Sequence, residues 1–242
     1  MTQLGACPLA TADTSDGRRQ PTLAARRAAV FLDKDGTLIN DVPYNVDPQR
    51  ITLAAGAAHA LGVLGNLGAP LFIISNQSGV AEGRFEMAAL NAVAQRMRDL
   101  FAEHGARLAG CYFCPHHPRG RVPAYTRDCD CHKPGAGLLL RAAREHSLHL
   151  GASWMVGDIL NDVEAGRRAG CRTALIDNGN ETEWDVTPAR TPDLIVADLG
   201  DAADYIFSNW PARSPVPARQ PLGRLGPRRS ISTAPRNSGG RP

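Results

Sequence analysis

Short continuous apolar runs that stop at a polar residue recur along this chain, and between them the hydrophobic period changes to that of a helix. Residues 28–32 (AAVFL) and 69–74 (APLFII) are such runs, and residues 154–156, 173–176 and 194–196 read the same way. A strand covered on both faces has this look, because both sides of its pleat must be apolar. Helical patterns cover 57–67, 87–101, 138–145 and 161–169. The second places Met87, Leu90, Val93, Met97 and Leu100 at spacings of three and four, and the fourth stops before Gly170. Strand alternating with helix predicts an α/β fold, a doubly wound, Rossmann-like parallel sheet with helices on both faces. Ligands in such sheets lie beyond the carboxyl ends of the strands.

The 27 Lys and Arg against 24 Asp and Glu give the chain a formal charge of +3, but the excess sits in its ends. Residues 211–242 hold seven Arg and no acid, whereas residues 28–210 hold 16 basic and 22 acidic residues, a balance of −6. A fold without a positive face argues against nucleic acid as partner. The absence of an apolar stretch near ~18 residues argues against a membrane span. The expected organisation is a disordered extension over 1–27, one domain over 28–210, and a disordered tail over 211–242, where seven Pro accompany the seven Arg. The first 27 residues lack the apolar core of a secretory signal. The expectation is therefore a cytoplasmic monomer, with its six Cys in a reducing compartment where clustered thiols hold metal rather than pair. No GxGxxG follows a strand, so no dinucleotide site is expected.

The candidate reactive residues fall at the predicted strand ends. Asp33 and Asp35 follow the first strand two apart, and an extended chain places i and i+2 on one side. Gly36 lets the chain turn away, and Thr37 offers a hydroxyl close by. Ser75 and Asn76, with Gln77 and Ser78 behind them, follow the second strand. Asp158 follows the strand WMV, and Asp162 stands four residues on at a helix start. Any one of these aspartates alone could merely cap a turn. Together they form a crowd of carboxylates that a cation would relieve, and oxygen ligands with room for water suit Mg2+, here Asp33, Asp35 and Asp158. Among 25 Arg the chain has only two Lys, and one is Lys133, a compact ammonium suited to gripping a phosphoryl group and pairing with Asp33. The other, Lys34, is expected to point the opposite way from its neighbours.

Four Cys lie in one 21-residue window, Cys111, Cys114, Cys129 and Cys131. Cys114-Pro-His116, twelve residues, then Cys129-Asp-Cys131 spells a Cys3His set for a structural Zn2+ in a loop, about 111–133, too polar to build its own core. His117 and His132 are adjacent alternatives, and Cys111 lies in an apolar run better suited to strand packing.

The D-x-D-G-T of Asp33 to Thr37, the Ser75-Asn76 pair, Lys133 and Gly157-Asp158 resemble the four motifs of the haloacid dehalogenase (HAD) superfamily over about residues 28–200. The resemblance implies a HAD fold with a minimal cap and an inserted zinc loop. It also implies a phosphatase in which Asp33 becomes an aspartyl phosphate, Asp35 serves as general acid and base, and Ser75, Asn76 and Lys133 bind phosphate. The Cys loop immediately before His-Lys-Pro resembles one branch, the D-glycero-D-manno-heptose 1,7-bisphosphate phosphatases and their histidinol-phosphate phosphatase relatives. The expected substrate is then the heptose bisphosphate, losing its 7-phosphate, with histidinol phosphate as the alternative. Thr37, Gln77, Ser78, Arg84 and His132 are the expected substrate contacts. The chain departs from the branch at His132, which stands in the place of an Arg, at Ala81-Glu82-Gly83, where Arg or another large residue is usual, and at Ile159, where a basic residue is common, so Arg84, Arg119 and Arg121 would have to supply charge at the rim. A reading of another class is a scaffold that keeps the fold without turnover, binding partners through the zinc loop and basic tail.

Overall fold

The computed structural model describes residues 26–210; the expected tail over 211–242, and all of the expected extension except Arg26 and Arg27, lie outside the described residues. Among the described residues the strands are β1 (Val30–Leu32), β2 (Leu71–Asn76), β3 (Leu108–Cys114), β4 (Trp154–Gly157), β5 (Arg172–Ile176) and β6 (Leu194–Val196). They form one parallel sheet in the order β3-β2-β1-β4-β5-β6. The helices are α1 (Ala57–Gly65), α2 (Leu90–Glu103), α3 (Gly137–His146), α4 (Leu160–Ala169) and α5 (Leu199–Ser208). None of them is long and apolar enough to cross a membrane.

Alternation along the strands sorts their side chains onto two cores. Val30 and Leu32 of β1 join Leu71 and Ile73 of β2 under α1, α2 and α5, whereas Phe31, Phe72 and Ile74 face α3 and α4. This two-sided burial is what the unbroken apolar runs encode. Three elements differ from the sequence reading. The pattern beginning at Met87 opens as a 3-10 turn, Met87–Ala89, before α2 proper. The edge strand β3 belongs to the sheet although its first residues are only partly covered, which blurs the apolar run. Helix α5 was not among the expected helices, yet its start is marked: the Asp198 side chain accepts from Asp201 N at 3.0 Å, an N-cap.

Chain order decides where the site sits. From β1 the chain steps outward to β2 and β3, then returns to lay β4 on the other flank of β1, and this reversal opens a crevice at the carboxyl ends of β1 and β4. Nothing larger than a 3-10 turn, Pro48–Arg50, lies between the end of β1 and α1, which agrees with the minimal cap.

Phe72 is a point of failure for the second core. It is fully buried, stacked on Phe31 at 5.5 Å between ring centroids and packed edge-on to Tyr112 at 6.1 Å. Truncating such a ring leaves a cavity as well as lost burial, so Phe72→Ala is expected to cost about 3–5 kcal/mol. Urea unfolding checks this, and a loss under about 1 kcal/mol would contradict the packing assigned to this ring.

Candidate active site

β1 delivers Asp33 to the crevice with its N–H bonded to Val156 O at 2.9 Å. The chain then turns: Leu38 N and Ile39 N both bond to Lys34 O at 3.0 Å, around Gly36 at φ +80°. Glycine is required here twice. Its φ lies in the left-handed region, and a Cβ would run into the side chains of Asp158 and Asn180. From β4, Asp158 enters the same space, its Oδ1 accepting from Thr37 Oγ1 at 3.0 Å and its Oδ2 from Asn180 Nδ2 at 2.7 Å. Asp162 reaches in from the first turn of α4, its Oδ2 accepting from Ile159 N at 3.4 Å.

Asp33, Asp158 and Asp162 are all buried, and each offers an oxygen within 4.8 Å of the others. Burial, with the neighbouring carboxylates, pushes Asp33 up to about 7 against the pull of Lys133, and burial followed by the Asp33 charge pushes Asp158 up to about 6. Burial also raises Asp162. A dication would relieve this crowding, so the donor set fits Mg2+.

Lys133 is buried, and its Nζ pairs with Asp33 Oδ1, lies 2.5 Å from Asp162 Oδ1, and donates to Ile74 O at 3.1 Å. Burial alone would pull this ammonium down, but the Asp162 and Asp33 carboxylates outweigh it and hold it above the ordinary lysine value. Its backbone is latched by Asn76, whose Oδ1 accepts from Lys133 N at 2.9 Å and whose Nδ2 donates to Lys133 O at 3.1 Å.

A cavity of about 280 Å³ opens on this cluster, and a second of about 280 Å³ adjoins it. Asp33, Ser75, Lys133, Asp158, Ile159 and Asn180 line one; Lys34, Tyr44, Asn45, Gln77, Ser78 and Phe85 are among the walls of the other. Asp35, Asp41 and Asn76 belong to both. Asp35 is fixed on this dividing wall by Lys34 Nζ on Oδ1 and by Gln77 Nε2 on Oδ2 at 3.1 Å.

Several expected contacts are placed differently. The carboxylate of Asp35 is turned away from the acidic cluster toward Lys34 and Gln77, so Asp162 takes its place beside Asp33 and Asp158. Thr37 spends its hydroxyl on Asp158, and Asn76 spends its amide on the Lys133 backbone. Gln77 also donates to Ser75 Oγ at 2.9 Å. Arg84 lies outside both cavities, its guanidinium 4.9 Å over the Tyr44 ring and its Nε 3.6 Å from Glu82. His132 turns Nδ1 to within 3.7 Å of Cys114 Sγ. Lys34, expected to point away, is buried because the Gly36 turn ends the extended geometry on which alternation depends. Asn180 had no sequence signal: it stands in a polar loop 22 residues from Asp158.

The cysteine loop leaves β3 at Cys114 and returns at Lys133. Cys114, His116, Cys129 and Cys131 converge, with Sγ separations of 3.6 Å for Cys114 to Cys129, 3.3 Å for Cys114 to Cys131 and 3.1 Å for Cys129 to Cys131. His116 Nδ1 lies 3.2 Å from Cys131 Sγ. Sulfur atoms on a Zn2+ tetrahedron with Zn–S bonds of ~2.3 Å stand ~3.8 Å apart, so the set needs only slight expansion to hold the ion. Hydrogen bonding with Cys114, working against burial, draws the Cys131 thiol down to about 5, toward the thiolate a metal needs. None of the described cysteines is in a disulfide. The loop docks beside the cavities through Arg121 N and Val122 N on Ala81 O at 2.6 and 2.8 Å.

Comparison with known proteins agrees with this geometry. A HAD-hydrolase-like family model matches residues 130–202. A D-glycero-beta-D-manno-heptose-1,7-bisphosphate 7-phosphatase of Escherichia coli K12 is 33% identical over 181 residues, 75% of this chain and 88% of the relative. That of Photorhabdus laumondii is 36% identical over 174 residues, 72% and 92%. The crystal structure of D,D-heptose 1,7-bisphosphate phosphatase from B. bronchiseptica, complexed with magnesium and phosphate, superposes with a TM-score of 0.62. It is 27% identical, and the match covers 75% of this chain and 98% of that one.

Proposed function

Since this chain belongs to the HAD-like phosphatases, in the branch of the heptose 1,7-bisphosphate 7-phosphatases, we propose that it removes the 7-phosphate of D-glycero-D-manno-heptose 1,7-bisphosphate by way of an aspartyl phosphate on Asp33. The observation that carries this reading is the division of the crevice. Asp33 and Lys133 stand in one cavity, a second cavity adjoins it, and Asp35 sits on the wall between them.

A carboxylate oxygen of Asp33 attacks phosphorus as the bond from phosphorus to the sugar oxygen breaks, and Asp35 gives its proton to that departing oxygen. Water then attacks the phosphorus of the acyl phosphate, passes a proton back to Asp35, and releases inorganic phosphate with Asp33 restored. Lys133 offsets the charge of Asp33 and Asp162 before attack, and the donor it gives Asp33 is free for the phosphoryl oxygens once Asp33 is acylated. Asp33 and Asp158 would hold Mg2+, which would supply the positive charge that lets a phosphate anion approach a carboxylate. Asp162, already engaged by Lys133, fixes that lysine. Zn2+ on Cys114, His116, Cys129 and Cys131 would hold the loop against the substrate cavity. The relatives' substrate and the polar, amide-rich second cavity support a polyhydroxy body there. A panel of phosphorylated sugars together with histidinol phosphate tests the choice: the heptose bisphosphate should give the largest kcat/KM, and a preference for histidinol phosphate would overturn it.

The raised carboxylates give a second test. Asp33 near 7 and Asp158 near 6 bind protons more tightly in the folded chain than in the unfolded one, where an aspartate sits near 3.8. Without Mg2+ the folded state therefore takes up more protons over about pH 4 to 7, and stability is lost as pH rises through that window. Mg2+ competes with those protons, so it should bind more tightly toward pH 8 than at pH 5 and should flatten the loss. Thermal unfolding across this range with and without Mg2+ checks both signs; identical slopes would contradict the arrangement.

A further inference from the structure

The loop after β5 contributes to the site from a direction the motifs do not cover, and it is tied down at three points. Asn178 Nδ2 donates to Gly36 O at 2.8 Å, Asn180 Nδ2 donates to Asp158 Oδ2 at 2.7 Å, and Glu181 Oε2 accepts from Leu160 N, at the start of α4, at 2.6 Å. Within the loop, Asn178 Oδ1 accepts from Asn180 N at 3.2 Å, which orients the second asparagine. The Asn180 amide also occupies the space that a Cβ on Gly36 would need.

We propose that Asn180 is a positioning residue for the metal-holding carboxylate Asp158, an inference that rests on the Mg2+ assignment made above. Each oxygen of Asp158 accepts one hydrogen bond from a neutral donor, Oδ1 from Thr37 and Oδ2 from Asn180. Two donors on opposite oxygens fix the plane of the carboxylate. They leave the second lone pair of each oxygen for a cation, and they add no positive charge that would compete with it. Thr37 is buried and reaches Asp158 from the β1 turn, whereas Asn180 reaches it from an exposed loop. Of the two, Asn180 can be altered without opening the core. Removing a hydrogen-bond partner of a metal-ligating carboxylate typically weakens the metal by 10–100-fold.

The test is direct Mg2+ binding to the full chain after dialysis against Mg2+-free buffer, read by calorimetry without substrate and paired with thermal unfolding of the Mg2+-free protein. Asn180→Leu keeps the bulk and removes the donor; its Mg2+ Kd is expected to rise about 10-fold. Glu181→Ala, which cuts the loop's tie to Leu160 N but leaves Asn178, Asn180 and the contact with Asp158 in place, is expected to move the Kd less than about threefold. A Kd for Asn180→Leu within twofold of the parent overturns the assignment, as does an equal loss in Glu181→Ala, which would make the loop's placement and not the amide responsible. Asp158→Asn separates the two levels of the argument. If Mg2+ affinity survives in that variant, the metal assignment itself fails; if affinity is lost there but kept in Asn180→Leu, only the role of Asn180 fails.

Discussion

Asp33→Asn should abolish phosphate release, by on the order of 10⁴-fold or more, because the amide cannot form the acyl phosphate and the remaining groups only bind and polarise the substrate. The fold should survive. Asp33 is a buried carboxylate that burial and its acidic neighbours push up to about 7, and its removal leaves Lys133 paired with Asp162. The expected combination is therefore an unfolding temperature at or above that of the parent with turnover lost. Acid-quenched protein from a reaction with labelled substrate should carry a hydroxylamine-sensitive label in the parent and none in the variant. Measurable turnover above a clean blank in Asp33→Asn, or label attached to another residue, would overturn the proposed chemistry.

If the cysteine loop holds zinc as proposed, removing the ion should have the second largest effect, and a local one. Residues 115–132 contribute little to either core: Cys129 and Cys131 pack only against the edge of the α3 side, and Tyr125 against the other. Cys114, His116, Cys129 and Cys131 converge within the loop. Structural zinc ligation supplies on the order of 10 kcal/mol to segments of this kind. Cys131→Ser should therefore lower bound zinc from one per chain toward zero and strip hydrogen-exchange protection from residues 115–132. The sheet should stay protected, because β3 pairs with β2 without a break from Gly110 to Cys114, where the loop begins. Activity should fall with the loop, since Arg121 N and Val122 N dock it on Ala81 O beside the substrate cavity. Lys133 should hold its place longer, because Asn76 grips its backbone from β2. A parent protein that binds no zinc, or a variant whose loop protection is unchanged, would sink the assignment.

Lys34 shows where reading by period stops. Alternation places Asp33 and Asp35 on one side and Lys34 on the other, which holds only while the chain stays extended. Gly36 turns it within two residues, and Lys34 Nζ comes round to the carboxylate of Asp35. Both lysines of an arginine-rich chain thus lie buried in the site, each on one of the two paired aspartates. The rarity of lysine pointed to one of them; the turn was needed to place the other.

The sequence by itself determined most of the sheet and which polar residues stand at its edge. Unbroken apolar runs mark strands covered on both faces, and the first polar residue after each run must lie at a strand's carboxyl end, so Asp33, Ser75 and Asp158 were placed by period alone. The cysteine cluster was equally legible, because its ligands are close in the chain and its loop has no other means of order. Only the tertiary structure decided how these groups divide their tasks: Asp162 rather than Asp35 beside the buried carboxylates, Thr37 on Asp158, Asn76 on the backbone of Lys133, His132 toward the thiols, and Asn180 on Asp158. Local pattern fixes which face a residue takes, since that depends on its nearest neighbours in the chain. The partner of a polar atom depends on which distant loop the fold brings within about 3 Å of it, and no periodicity encodes that distance.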